Sequence, residues 1–179
     1  AKEKSGASGS GSDATAGGSG PSKLTPTISY AGMWNFLHFN PQSCVLYISD
    51  PSGSANPPSW FASSAMKFKE GKVKKVSFGF VDSSGADGLA VAKRLGLDAQ
   101  SLPAVVAFDP EKDNGGSFAL FGGELADGVM GRSGAVTDFV RSFTSGKGEF
   151  DLQTIPSFPQ PERPRKKSEV RIHMLRSPQ

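Results

Sequence analysis

The sequence predicts an α/β domain built on a central mixed sheet with helices on both faces. Three observations carry this prediction. Short apolar runs of strand length alternate with segments of helical period, in the order β-α-β-α-β-α-β-β-α. Two consecutive strand-like runs near the C-terminus are separated only by a turn, so part of the sheet is a hairpin. The final helical segment places Val136, Phe139, Val140 and Phe143 at i, i+3, i+4 and i+7.

The first element, Thr27-Ile28-Ser29-Tyr30, is a weak strand signal where order begins. Ala31 to Phe39 carries Met33, Trp34, Phe36, Leu37 and Phe39, which suits a short buried helix, and Asn40-Pro41 breaks it. Cys44-Val-Leu-Tyr-Ile48 is a fully apolar run ended by Asp50-Pro51, the pattern of a buried central strand. Ser52 to Pro58 is a loop. Asn56 is placed to cap the next helix, and Pro57 or Pro58 suits its first turn. That helix is expected from Ser59 to about Lys69, with Lys67 and Lys69 at the end that favours cations.

Val76 to Val81 alternates as a strand does. A helix follows over Ala86–Leu95, stopped by Gly96. Ala104 to Phe108 is a second fully apolar strand, introduced by Pro103. It is expected beside Val45–Ile48 and parallel to it. Asp109 to Gly116 is a charged turn, Ser117–Phe121 a strand, and Gly122-Gly123 another turn. The last helix is expected to begin at a Ser133 cap and to stop at Gly146.

Composition sets the boundaries. The chain has 179 residues, 36% of them hydrophobic, and residues 1–20 hold no Val, Ile, Leu, Met or aromatic side chain. Residues 1–26 therefore read as a flexible Gly/Ser linker, 27–148 as the domain, and 149–179 as a Pro-rich basic tail. No apolar run approaches a membrane-spanning length. Residues 160–179 carry a net charge of +4 and the rest of the chain −1. The basicity thus belongs to the tail, and the folded body does not read as a nucleic-acid-binding domain. The first residue is Ala, which suggests a removed presequence or a piece of a longer chain. Residues 1–20 contain no secretory h-region.

The single cysteine excludes an internal disulfide and an all-cysteine metal site, and two distant histidines argue against a catalytic zinc. Cys44 reads as a small buried hydrophobe, with a reactive monothiol as the alternative. Ser52, Ser54 and Ser59 could act as nucleophiles only with a base, and no histidine lies near them in sequence. His38 reads as structural and His173 belongs to the tail. Trp60 and Phe61 fit either the core or a ligand platform. Gly115-Gly116 and Gly122-Gly123 match no phosphate-binding loop, so no small-molecule cofactor is expected. The tail reads as solvated, as a docking strand through Val170-Arg-Ile172, or as a segment for an acidic membrane surface.

Four stretches together resemble the thioredoxin-fold family. Val45–Ile48 followed by a loop and helix resembles the strand that delivers the redox loop. Val76-Ser-Phe-Gly-Phe-Val-Asp82 resembles the next strand with its trailing Asp. Leu89-Ala-Val-Ala-Lys-Arg-Leu-Gly-Leu97 resembles the following helix end, and Ser101-Leu-Pro-Ala-Val-Val-Ala-Phe108 the family's cis-proline strand. The Gly122-Gly123 turn and the helix to Phe143 close the pattern, over roughly residues 27–146. The resemblance implies a three-layer α/β/α sandwich. The family's chemistry uses two cysteines at the loop-to-helix junction. Here that junction, Ser52-Gly-Ser-Ala-Asn-Pro-Pro-Ser-Trp60, contains none. The redox role therefore does not carry over.

What remains implied is a non-catalytic domain that binds protein or unfolded polypeptide, as in disulfide-isomerase-type or J-domain-associated folding factors. Its groove would comprise Ser52, Ser54, Asn56, Trp60, Ser101, Leu102 and Pro103, with Pro103 in cis. The compartment is not readable from the N-terminus; the resemblance favours an endomembrane lumen such as the endoplasmic reticulum, or an organelle. The alternatives are a structural subunit docked through its tails and a monothiol protein using Cys44.

Overall fold

A computed structural model describes residues 23–39, 43–71, 75–122 and 131–162. The expectations for 1–22, Asn40-Pro41, Gly123 and residues 163–179, including His173, lie outside these. In chain order the elements are α1 (Met33–His38), β1 (Cys44–Ile48), α2 (Ser59–Glu70), β2 (Ser77–Val81), α3 (Ala86–Arg94), β3 (Ala104–Asp109), β4 (Ser117–Leu120), α4 (Gly131–Ser145) and β5 (Gln153–Thr154). The strands form one mixed five-stranded sheet in the order β2-β1-β3-β4-β5.

β1 and β2 are parallel, with Cys44 opposite Ser77 and Ile48 opposite Val81. β3 is the other neighbour of β1, as expected, but it runs antiparallel, with Ile48 opposite Ala104 and Cys44 opposite Phe108. The expectation of parallel pairing is thus overturned. The reason lies in the connection. α3 starts beside the end of β2, and the extended return between Arg94 and Ala104, with its single 3-10 turn, brings the chain back to that same end before β3 begins. A strand entering there must run the opposite way.

The outer edge of β2 is covered by Thr27, which pairs in parallel with Phe80. The Phe80 N–H donates to the Pro26 carbonyl and the Ile28 N–H to the Phe80 carbonyl. Pro26 has no N–H to give in return, so this ladder cannot extend toward Phe78.

The side-chain alternation of β1 divides the core. Cys44, Leu46 and Ile48 face a cluster containing Met33, Phe36 and Leu37 of α1 with Val91 and Ala92 of α3. Val45 and Tyr47 face Phe61, Ala65 and Phe68 of α2 with Val136, Phe139, Val140 and Phe143 of α4. Every β1 residue is buried because helices cover both sides.

The body exceeds the predicted boundaries at both ends. Leu24 packs against the α2/α4 cluster and Thr25 is buried, so residues 23–26 are not linker. β5 pairs antiparallel with β4. Phe150 makes edge contacts with Phe139 and Phe143. Phe158 is buried in the α1/α3 cluster and meets Tyr30 edge-on. The boundary drawn at residue 148 therefore falls too early. Aromatic side chains from the Pro-rich segment offset the ordering of chain that composition alone would leave free.

Two caps also differ from expectation. Pro58, not Asn56, is the residue before α2, with an extended backbone and no side-chain cap. Ser133 lies inside α4, which begins at Gly131. The glycine stops hold: Gly96 and Gly146 follow α3 and α4 with φ of +77° and +67°, a conformation that favours glycine.

Candidate functional site

The residues singled out from sequence cluster at one end of the sheet, where β1 and β2 finish and β3 begins. Register places them there: Ile48 pairs with Ala104, so the loop after β1 and residues 101–103 leave from neighbouring points. Below them the sheet end is clamped by a buried pair of hydroxyls. The Ser83 N–H donates to Ser49 Oγ at 3.0 Å, the Ser83 hydroxyl donates to the Ser49 carbonyl, and the Ser49 N–H donates to the Val81 carbonyl.

The loop after β1 is organised by Asp50. Its Oδ1 accepts from the Ser52 N–H at 2.8 Å and from the Ser52 hydroxyl at 2.5 Å. The Gly53 N–H donates to the Asp50 carbonyl. Farther on, Ser54 Oγ accepts from the Asn56 N–H at 3.2 Å. Asn56 thus sits in an ST turn and not at a helix cap. The segment before β3 repeats the device. Asp98 Oδ1 accepts from the Ser101 N–H at 2.9 Å and the Ser101 hydroxyl at 2.7 Å.

These turns decide what the hydroxyls can do. The Ser52 hydroxyl and N–H hold the Asp50 carboxyl below its ordinary range, and Ser101 does the same to Asp98. A carboxylate with a lowered pKa is a weaker base, so Asp50 and Asp98 are poorly suited to activate the serines they hold. His38 is remote: it stacks on Trp34 in α1, and its Nδ1 lies 2.8 Å from the Trp34 carbonyl oxygen. Among the described residues no group of three His, Cys, Asp or Glu side chains is placed to hold a metal ion.

Ser52, Ser54 and Ser101 are exposed, while Asn56, Trp60 and Pro103 are half-buried. Trp60, in the first turn of α2, meets Tyr47 edge-on at 5.5 Å and Phe61 at 6.0 Å. One part of its ring thus belongs to the core. Leu102 turns its side chain into the α1/α3 cluster and is 6% exposed. The Leu102–Pro103 peptide bond is cis. Among the described residues no hydrogen bond takes up the backbone N–H or carbonyl of Leu102, and none joins the Asp50–Pro58 loop to residues 101–103.

Cys44 lies at the opposite end of β1. It is fully buried, and its thiol donates to the Phe36 carbonyl at 3.6 Å. Burial, assisted by the nearby Asp109 charge, pushes the thiol up to about 12. The thiol is thereby held in its protonated form at neutral pH, whereas the thiolate is the species that reacts.

Two concave regions lie away from the predicted groove. One, of about 440 Å³, is lined by Trp34, Leu37, His38, Glu111, Pro156 and Phe158 among others. The other, of about 560 Å³, lies where β2 begins, between Phe68, Lys69, Lys75 and Phe78. Neither includes a residue predicted for the site.

Sequence reasoning missed Asp50 and Asp98, the residues that shape both loops. Their signal was present as Asp-x-Ser and Asp-x-x-Ser spacings, the pattern of side chains that accept from backbone N–H groups two or three residues on. No protein-family model matches this chain, and no curated protein matches it.

Proposed function

We propose that this chain carries a redox-inactive, thioredoxin-like domain that binds extended polypeptide, as a non-catalytic module of a folding or chaperone-type protein. The observation that carries the reading is the strand order β2-β1-β3-β4 with one parallel and then antiparallel pairings, with α2 launched from the end of β1 beside the entry to β3. That arrangement supports the resemblance drawn from sequence.

The proposed groove has three parts. Trp60 offers a half-buried aromatic edge, the Ser52–Asn56 loop offers exposed hydroxyls, and the Leu102 backbone offers a donor and an acceptor with no partner among the described residues. An extended peptide could pair with that backbone as an added strand. The junction holds no cysteine and the single thiol is buried at the other end of the sheet, so capture would be reversible and non-covalent.

NMR titration of the labelled chain with a reduced, unfolded client tests this reading. Shifts at Trp60, Ser101 and Leu102 are expected. Shifts confined to other surfaces would reject the groove. An insulin-reduction assay should stay at background, and turnover that Cys44→Ser abolishes would favour the monothiol alternative.

A further inference from the structure

The cavity where β2 begins lies at the end of the sheet opposite the proposed groove, and the groove reading does not use it. Its walls are apolar. Leu24, Ala65, Phe68, Val76 and Phe78 line it, and the rings of Phe68 and Phe78 meet at 5.5 Å, which ties α2 to β2 there. Both charged residues of the lining are cations: Lys69 in the last turn of α2 and Lys75 just before β2, each of them exposed. Among the described residues neither forms an ion pair. Glu70 is exposed and lies outside the lining. The volume, about 560 Å³, is ordinary for a small-molecule site.

These features select an occupant. Two ammonium groups beside one cavity attract an anion, and apolar walls reward only a ligand with an apolar body. An inorganic anion would leave the walls unused, and a neutral hydrocarbon would leave the lysines unused. An added peptide strand does not fit the edge. The Ser77 N–H donates to the Ser43 carbonyl, so alternate residues of β2 turn their backbone groups to β1, while Phe78 and Phe80 turn theirs outward. Pro26 and Ile28 already take the Phe80 groups. Only Phe78 is left on that edge of β2, too short a run for an augmenting strand. A bilayer surface does not fit either, because Ala65, Phe68 and Phe78 are each at most 5% exposed and a flat surface cannot reach them.

From the apolar cavity, its two exposed cations and the occupied edge of β2, we infer that this cavity is a binding site for a single-chain anionic amphiphile of the fatty-acid class. The hydrocarbon chain lies against Phe68, Val76 and Phe78, and the carboxylate stays in solvent at the mouth, beside Lys69 and Lys75.

The test titrates decanoate, kept below its micelle-forming concentration, into the isotope-labelled full chain. Saturable shifts at Leu24, Phe68, Val76 and Phe78 are expected, with affinity falling as salt is added. Decyltrimethylammonium has the same chain and the opposite head, and should bind about tenfold more weakly or worse. Lys69→Glu/Lys75→Glu should weaken decanoate binding by about tenfold or more and leave the thermal midpoint of the free protein nearly unchanged, since both side chains are exposed. Equal binding of the two amphiphiles would overturn the inference, as would undiminished binding to the double variant. Shifts confined to Trp34, Leu37 and His38 would overturn it by placing decanoate in the other cavity. No shift with decanoate would overturn it as well, and phosphatidylserine vesicles that then shifted Lys69 and Lys75 would put a membrane surface in its place. Shifts at Trp60 and Leu102 with an unfolded client report on the separate polypeptide groove, so the two readings fail independently.

Discussion

Gly88→Ala offers the sharpest test of the packing between α3 and the end of β2. By helix propensity alone this change in the first turns of α3 should stabilise, since alanine is favoured over glycine by about 1 kcal/mol. The tertiary structure reverses the sign. A Cβ at Gly88 would overlap the Asp82 carbonyl oxygen, and would lie 2.5 Å from the Asp82 carbonyl carbon and 2.8 Å from Ser83 Cα. All three are backbone atoms, so no side chain can swing aside. To reach ordinary contact, α3 or the Asp82–Ser83 turn must shift by roughly 1 Å or more.

Both are held. Ser83 is bonded to Ser49 through its N–H and its hydroxyl, and the Asp87 carboxylate at the start of α3 accepts from the Tyr30 N–H at 2.8 Å. Overpacking costs about 1–3 kcal/mol, and each buried hydrogen bond broken adds about 1 kcal/mol. A loss of about 3–5 kcal/mol is expected. Urea unfolding followed by tryptophan fluorescence would show the midpoint falling by about 2 M or more for a slope of about 1.5 kcal/mol/M. Gly134→Ala in α4 is the control, because nothing lies within 4 Å of its Cβ position and it should gain about 0.5–1 kcal/mol. Equal stabilisation at both sites would refute the close approach of α3 to the sheet end.

Other expectations follow from the buried thiol, the aspartate turns and the C-terminal strap. Cys44 holds its proton in the fold up to about 12 but ionises near 9.0 when exposed, so its contribution is intact below pH 9 and declines above it. By pH 11 the loss should be about 2–3 kcal/mol relative to Cys44→Ala, at 1.36 kcal/mol per pH unit; parallel pH profiles for the two proteins would refute it. Asp98 is lowered in the fold, so its turn stabilises above the ordinary value of 3.8 and that contribution disappears as pH falls through the lower folded value. The stability gap between wild type and Asp98→Asn should therefore close in acid, below about pH 4, and a gap that persists would deny the cause. Phe158→Ala, which empties a buried ring site on the α1/α3 face, should cost about 3 kcal/mol or more by thermal or urea unfolding. A chain ended after residue 148 should lose at least as much; unchanged stability of either would return the strap to the status of a tail.

The sequence by itself determined the four helices, the four main strands and the two buried faces of β1, though not β5, and it read Thr27–Tyr30 as a strand where only the Thr27 bridge forms. Val45 and Tyr47 against Leu46 and Ile48 declare two buried faces because side chains alternate along a strand whatever surrounds it. Val136, Phe139, Val140 and Phe143 declare a helix for the corresponding reason, and Gly96 and Gly146 stop theirs through local backbone freedom. The burial of Cys44 was legible too, since a lone cysteine inside a fully apolar strand run takes the place of a small hydrophobe.

Tertiary structure decided the rest. Periodicity is blind to strand direction, so only the path of the chain from α3 to β3 sets β3 antiparallel to β1. Asn56 had the right chemistry for a cap, but Pro58, with an extended backbone, takes the position before α2. Phe158 stands alone among prolines with no repeat to announce it, and is buried because Tyr30 meets its ring and Arg94 holds the neighbouring Ser157, both distant in sequence. In the candidate site, the sequence named the loops, while the register of Ile48 with Ala104 brought them to one end of the sheet. Local patterns are written in neighbouring residues; pairing partners, strand direction and the seat of a lone aromatic depend on residues far apart in the chain.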